Sequence, residues 1–206
     1  YVTFDTSRQP MVHVRVGISY VSLEKARANL EAENPAGTSL DAVAERAEAL
    51  WNERLGGIRI EGGTTNERVV FYTALYHSLL HPNVSSDVDG EYRGFDGRAH
   101  RVAAPQRAQY ANFSGWDVYR SELQLVTLLD PRIGSDIAQS LLNQATENGG
   151  VWDRWTHNSG ATAVMTGDPS AIAIASIAAF GGTDFDVSGA FTSLARAART
   201  PTALDL

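Results

Sequence analysis

The hydrophobic period of the chain switches once, near Ser22, and never switches back. No other feature limits the possible folds as much. Upstream, Val12, Val14, Val16, Ile18 and Tyr20 alternate with His13, Arg15, Gly17 and Ser19, the two-residue period of a half-buried strand. Tyr1 to Phe4 reads as a second such segment. Two strands alone make a marginal sheet, so this stretch should find its partners elsewhere. The chain therefore reads as a piece of a longer polypeptide. Downstream the spacing is helical. Ser22 can cap Leu23 to Glu33, which Asn34-Pro35 stops, and Ser39 can cap a helix through Arg54, ended by Gly56-Gly57. In the latter, Leu40, Val43, Ala47, Leu50 and Trp51 form one apolar stripe. Thr64 and Glu67 have capping-box spacing ahead of Val69 to Leu80. That segment is apolar nearly all round, as expected of a helix buried on most sides.

A connection of about thirty residues follows, Asn83 to Ser114, far longer than ordinary loops. Long structured loops often carry function. Four more helices are expected near Trp116–Leu129, Arg132–Asn148, Pro169–Phe180 with Asp168 as cap, and Asp186–Arg199. Their short connections imply antiparallel hairpins. The expected class is mainly α, with a short N-terminal β segment.

Charge and composition narrow the partners. The 206 residues hold 17 Lys+Arg against 24 Asp+Glu, a formal net charge of −7. An acidic chain without a basic run argues against nucleic acid and against an anionic membrane surface. No apolar run approaches a membrane span. The absence of cysteine removes thiolate catalysis, disulfides and Cys-ligated zinc.

The most informative stretch is Phe113-Ser-Gly-Trp-Asp-Val-Tyr-Arg120, where the long loop meets a helix start. Trp116 offers a flat apolar face and Asp117 a two-oxygen acceptor beside it. Arg120 lies one turn on, where it could orient Asp117. A sugar ring needs an aromatic face for its C–H side and a carboxylate for vicinal hydroxyls. The same residues also suit a plain helix start, with Ser114 as cap, Asp117 complementing the dipole and Trp116 in the core. Gly150-Val-Trp-Asp-Arg-Trp-Thr-His157 could line a pocket mouth, or be a packed corner with Trp155 in the core.

Ser85 to Asp96 places oxygens at positions 1, 3, 5 and 12 with Gly90 at 6, the outline of a calcium loop, making Asp87 and Asp89 metal candidates. The alternative is a series of Asx-turns closing the loop. His77 and His81 have the spacing of two helix-borne ligands, but no third is evident. Asp87, Asp89, Asp96 and Asp117 could supply a carboxylate pair for glycoside chemistry. There is neither a Gly-x-Ser-x-Gly elbow nor a phosphate-cradling loop.

At Phe71-Tyr-Thr-Ala-Leu-Tyr-His77, Ser86-Asp-Val-Asp-Gly90, Tyr92-Arg-Gly-Phe-Asp96 and Ser114-Gly-Trp-Asp-Val-Tyr-Arg120 the chain resembles glycoside hydrolase family 92, the calcium-dependent exo-acting α-mannosidases. Val16 to Ser22 and Ala28 to Glu31 resemble the stretch leaving that family's N-terminal β-sandwich. The resemblance implies strands of a β-sandwich over 1–21, a helical linker over 22–62, and the first part of an (α/α)6 barrel over 63–206. It implies an inverting hydrolase of terminal α-linked mannose, secreted or periplasmic and bacterial, that binds Ca2+ and acts on mannose-containing glycans. Trp116, Asp117, Arg120 and Trp155 would then bind sugar. The general acid, the general base and most calcium ligands would lie beyond Leu206, on the remainder of the polypeptide, leaving this segment catalytically inert. One departure stands out: Ala161 occupies the place where the family usually has Glu. Two other readings stay open. One is a non-catalytic helical carbohydrate-binding or scaffold module. The other is a different (α/α)-barrel glycosidase, such as a trehalase-like enzyme without a calcium requirement.

Overall fold

The computed structural model describes residues 1–8 and 10–201; Gln9 and residues 202–206 of the expected barrel unit lie outside the described residues. Among these, the chain is mainly helical, as its period suggests. Three helices come first: α1 (Leu23–Glu33), α2 (Leu40–Leu55) and α3 (Thr65–Ser78). Each begins where a hydroxyl accepts a free amide: Ser22 from Lys25, Ser39 from Ala42, and Thr64 from Glu67 in a complete capping box.

The expected strand over residues 12–20 does not form. Its two-residue rhythm survives in burial, but reversed. Arg15, Gly17 and Ser19 turn toward α1, while Val14, Val16 and Ile18 are largely exposed. A strand needs a neighbouring backbone to hydrogen-bond, and here the neighbour is a helix. Arg15 donates to the Asn34 carbonyl (2.5 Å), and Asn29 Nδ2 to that of Ile18 (2.8 Å). The expected burial of α3 also fails. Of its residues only Leu75 is buried, and Val69 and Val70 are more than half exposed, α3 packing chiefly on α2.

The long connection is an ordered β excursion. Strands β1 (Asn83–Val84) and β4 (Tyr110–Ala111) pair antiparallel at its base, and β2 (Glu91–Arg93) and β3 (Ala99–Arg101) form a hairpin at its tip. Buried amides stitch the excursion to a later helix, α6 (Pro131–Glu147). Gln106 Nε2 donates to Gln109 Oε1 (3.0 Å) and Ser140 Oγ (3.1 Å), and Asn143 Nδ2 donates to both Gln side chains.

The expected single helix from Trp116 to Leu129 is two: α4 (Gly115–Val118) and α5 (Glu122–Leu129). Ser121 sits at φ −158°, ψ −25°, and the Gln124 side chain takes the Tyr119 carbonyl at 2.8 Å. Asp130 alone joins α5 to α6, and it caps α6 through the Arg132 amide (3.1 Å). Helices joined by one residue and packed together must fold back as a hairpin. Then come β5 (Thr156–His157), β6 (Gly160–Ala161), α7 (Pro169–Ala179) and α8 (Val187–Ala197). Asp168 precedes Pro169 as expected but makes no side-chain cap. The core lies among α4 to α8, around Phe113, Leu123, Ile137, Leu141, Trp152 and Ile177. Among the described residues no helix is long and apolar enough to cross a membrane.

Candidate functional site

The two tryptophan-bearing motifs, nearly forty residues apart in sequence, run antiparallel beside each other. Thr156 donates its amide to the Phe113 carbonyl (3.0 Å), Gly115 donates to that of Arg154 (3.0 Å), and Ser114 bridges Trp155. Phe113 is 2% exposed and anchors this seam in the core. Gly115 is required by close approach. A Cβ there would lie 2.3 Å from Pro169 Cγ and 2.5 Å from the Arg154 carbonyl oxygen.

Directly opposed residues of paired segments share a face. Trp155 therefore stands on the Ser114 side, where the Ser114 hydroxyl donates to Asp117 Oδ2 at 2.5 Å. Ser114 is thus not a side-chain cap; it holds the carboxylate. Trp116 is 48% exposed and Trp155 37%. Trp152 is the core member of its motif, donating its indole N–H to Ser193 (3.0 Å). The surface that results has two accessible indoles and an exposed carboxylate with a fixed hydroxyl beside it. Such a surface can stack an apolar ring face and accept hydroxyl protons.

Arg120 takes a different part from the one expected. Its Nε donates to the Trp116 carbonyl (3.2 Å) and its guanidinium lies over the Tyr119 ring, 5.5 Å from the centroid. It steadies α4 rather than orienting Asp117, because the backbone carbonyl one turn back is nearer than the carboxylate across the helix.

Behind the seam, Asp153 is 5% exposed and accepts the Thr162 amide at 2.8 Å. Thr162 in turn donates its hydroxyl to the Trp155 carbonyl. These bonds fold the β5–β6 hairpin back onto the motif and leave Ala161, paired with Thr156, exposed beside it. Asn112, at φ 62°, accepts the Asn158 amide (3.0 Å) and donates to Asn83 (2.8 Å), tying the seam to β1.

Glu122 was not singled out from sequence. It opens α5, one of its oxygens is enclosed without a hydrogen-bond partner, and burial together with the Asp117 charge pushes its carboxyl up to about 7. The only sequence sign was a second acid five positions after Asp117.

In the calcium-loop outline both metal candidates have protein partners. Asp87 is buried and accepts from Ser19 Oγ (2.9 Å) and Asn29 Nδ2 (2.7 Å). Asp89 is paired with Lys25 (2.5 Å) and Arg101 (3.0 Å), and the Lys25 ammonium is the main reason its carboxyl sits at about 2. Carboxylates matched in this way would have to give up those partners to hold a metal ion. The Asx-turn alternative fits, since Asp89 and Asp96 accept amides two residues on, from Glu91 and Arg98. Asp96 also meets His100 at 3.0 Å. These three acids thus have partners of their own, away from Asp117. His77 and His81 are both exposed, and among the described residues no group of three or more His, Cys, Asp or Glu could hold a metal.

Residues 25–205 match the family model of the glycosyl hydrolase family 92 catalytic domain. No curated protein matches the chain. Similar solved structures include a family GH92 α-mannosidase from Bacteroides thetaiotaomicron, at 26% identity and TM-score 0.82, covering 90% of this chain and 24% of that one. Its complex with mannoimidazole gives the same values. A family GH92 inverting mannosidase from strain VPI-5482 of that organism matches at 27% identity and TM-score 0.81, covering 90% and 25%. The chain thus spans about a quarter of the length of these structures. The helix hairpins described above are part of an (α/α)6 barrel.

Proposed function

This chain belongs to glycosyl hydrolase family 92, and on that premise we propose that it is part of an inverting, calcium-dependent exo-α-mannosidase that removes terminal α-linked mannose from glycans. The observation that supports this reading is the seam that sets Trp155 beside Ser114, whose hydroxyl holds Asp117, with the neighbouring Trp116 exposed. The indoles take the C–H face of the terminal sugar. Asp117 accepts protons from neighbouring hydroxyls, and Ser114 keeps its rotamer fixed, so binding does not have to order it. Arg120 supports this site through the backbone beneath Trp116. The reading is supported by the mannosidases among the similar structures.

In an inverting mechanism one carboxylic acid protonates the leaving oxygen, and a carboxylate base activates water on the opposite ring face. We assign neither role within this chain and place both groups, with most of the calcium ligands, beyond Leu206. Residues 1–21 are assigned to the end of a β-sandwich, residues 22–62 to the linker and residues 63–206 to the barrel. Secretion or periplasmic residence in a bacterium belongs to the same reading.

The test is Asp117→Asn in the full-length protein, with an aryl α-mannoside as substrate. Loss of a charged acceptor for sugar hydroxyls should cost about 3–5 kcal/mol of transition-state binding. Near-normal turnover would overturn the site. Chelation should abolish activity, and activity that survives it would instead favour a calcium-free (α/α)-barrel glycosidase. Proton NMR should show β-mannose as the first-formed product.

A further inference from the structure

Trp155 is held from two sides, and only one of them is the seam. The backbone bonds of the seam run from the residues flanking Ser114 and Trp155, with Gly115 donating to the Arg154 carbonyl and Thr156 to that of Phe113. In such a pair each residue's own carbonyl faces away from the partner segment, toward the opposite edge. There the Thr162 hydroxyl donates to the Trp155 carbonyl. Thr162 is itself fixed, because its amide donates to Asp153 Oδ2 (2.8 Å), and Asp153 is 5% exposed. A buried carboxylate is costly unless it is hydrogen-bonded, so this bond is not easily given up. The chain just beyond is strained. Ala163 (φ 54°) and Met165 (φ 72°) lie in the left-handed region that residues with a Cβ seldom adopt. Arg154 holds the far end of this turn, donating Nε to the Gly167 carbonyl (2.8 Å) and Nη1 to that of Met165 (3.4 Å). Strained backbone persists only where its surroundings fix it, and it gathers at ligand sites. Here the two side chains that precede Trp155 fix the turn, and its first residue reaches back to Trp155.

We infer that Thr162 is a positioning residue for Trp155: its hydroxyl, set by Asp153, holds the Trp155 backbone so that the indole is in place before a sugar arrives. This rests on the reading of Trp155 as a sugar-binding residue. A threonine suits the task. It is branched at Cβ and stiff about χ1, so a hydroxyl whose own backbone is tied to Asp153 has few other directions to take. An exposed indole that is free to move must be ordered by the ligand, and that ordering lowers affinity. A stacking contact shared by the bound substrate and the transition state stabilises both alike, so losing the hold raises KM and leaves kcat.

The experiment uses the full-length protein and an aryl α-mannoside. Thr162→Val, nearly isosteric but without the hydroxyl, should raise KM on the order of fivefold, the scale of one aromatic contact, and leave kcat within about twofold. Thr162→Ser, which keeps the donor, should stay near the wild-type KM. Trp155→Ala should raise KM at least as far, and adding Thr162→Val to it should raise KM no further, because the hydroxyl acts only through the indole. A wild-type KM in Thr162→Val, an equal rise in Thr162→Ser, or additive rises in the double variant overturns the inference. If Trp155→Ala is impaired while Thr162→Val is not, the sugar site stands and only Thr162's part in it is lost; a wild-type KM in Trp155→Ala removes the stacking role and the inference with it. Fluorine NMR of 5-fluorotryptophan-labelled protein needs no substrate. The Trp155 resonance, identified by its absence in Trp155→Ala, should shift or broaden in Thr162→Val, and an unchanged resonance overturns the proposal.

Discussion

The helices before the β excursion and those after it place their apolar residues differently. In α2, Leu40 is 72% exposed and Leu50 57%, and neither α1 nor α2 has a buried residue. In α5 and α6, Leu123 is fully inaccessible and Ile137 nearly so. The first group is held by local caps and by charged or polar ties. Lys25 reaches Asp89, Asn29 reaches Asp87, and Arg54 lies 3.6 Å from Asp130. The second is held by a shared core. The lesson is that a well-capped amphipathic helix can be recognised from sequence whether or not anything covers its apolar face, because caps act locally and burial does not.

The largest expected effect sets Leu123→Ala against Leu50→Ala in urea unfolding. The first should lose about 2–5 kcal/mol, since it leaves a cavity in the packed half. The second should stay within about 0.5 kcal/mol. Equal losses would break the contrast. Next is Arg107→Ala. Asp136 is 3% exposed, and Arg107 grips it through Nε (3.1 Å) and Nη2 (2.9 Å). Without Arg107, burial, already the main influence raising the Asp136 carboxyl, is left uncompensated. A loss of about 2–3 kcal/mol is expected, the low end for a broken buried pair because Arg107 is itself half exposed. Unchanged stability would mean that the excursion is not tied to α6 through this contact.

Smaller again is Thr64→Ala, which removes the capping box of α3 and should cost about 1 kcal/mol. Amide exchange should quicken in the first turn of α3 and leave α6 untouched. If α6 responds equally, the two halves unfold as one unit. The smallest effect is the acid response of the tie between α1 and the hairpin. Asp89 titrates lower in the folded chain than its ordinary 3.8, so its contribution is complete above about pH 4 and fades as pH falls through about 2. Exchange from α1 should rise over that window and with added salt, because the pair is exposed and screened. Lys25→Ala should remove the salt sensitivity.

Much of the candidate site was legible residue by residue. Trp116-Asp117 at a helix start after a long loop marked the place, and Trp155 was marked as its possible companion. What the residues did not show was their meeting. The backbone bonds of Phe113 and Gly115 to Thr156 and Arg154 join segments about forty positions apart, and no local rule encodes such a pairing. Arg120 meets the Trp116 carbonyl and not Asp117, because helical spacing allows a partner without choosing among those in reach. Glu122 was missed because its character comes from enclosure, and enclosure belongs to the packed chain.

The linear order of residues determined by itself the elements that depend on near neighbours. These are the capped starts at Ser22, Ser39 and Thr64, the Asp130-Pro131 corner, and the mainly helical class, since hydroxyl and carboxylate caps act over three or four positions. Only the tertiary structure decided which faces were covered, which of Trp152 and Trp155 entered the core, that Asp89 meets Lys25, and that residues 12–20 lie along a helix instead of pairing as a strand. Those outcomes depend on desolvation and on partners distant in sequence, and both are set only when the whole chain has packed.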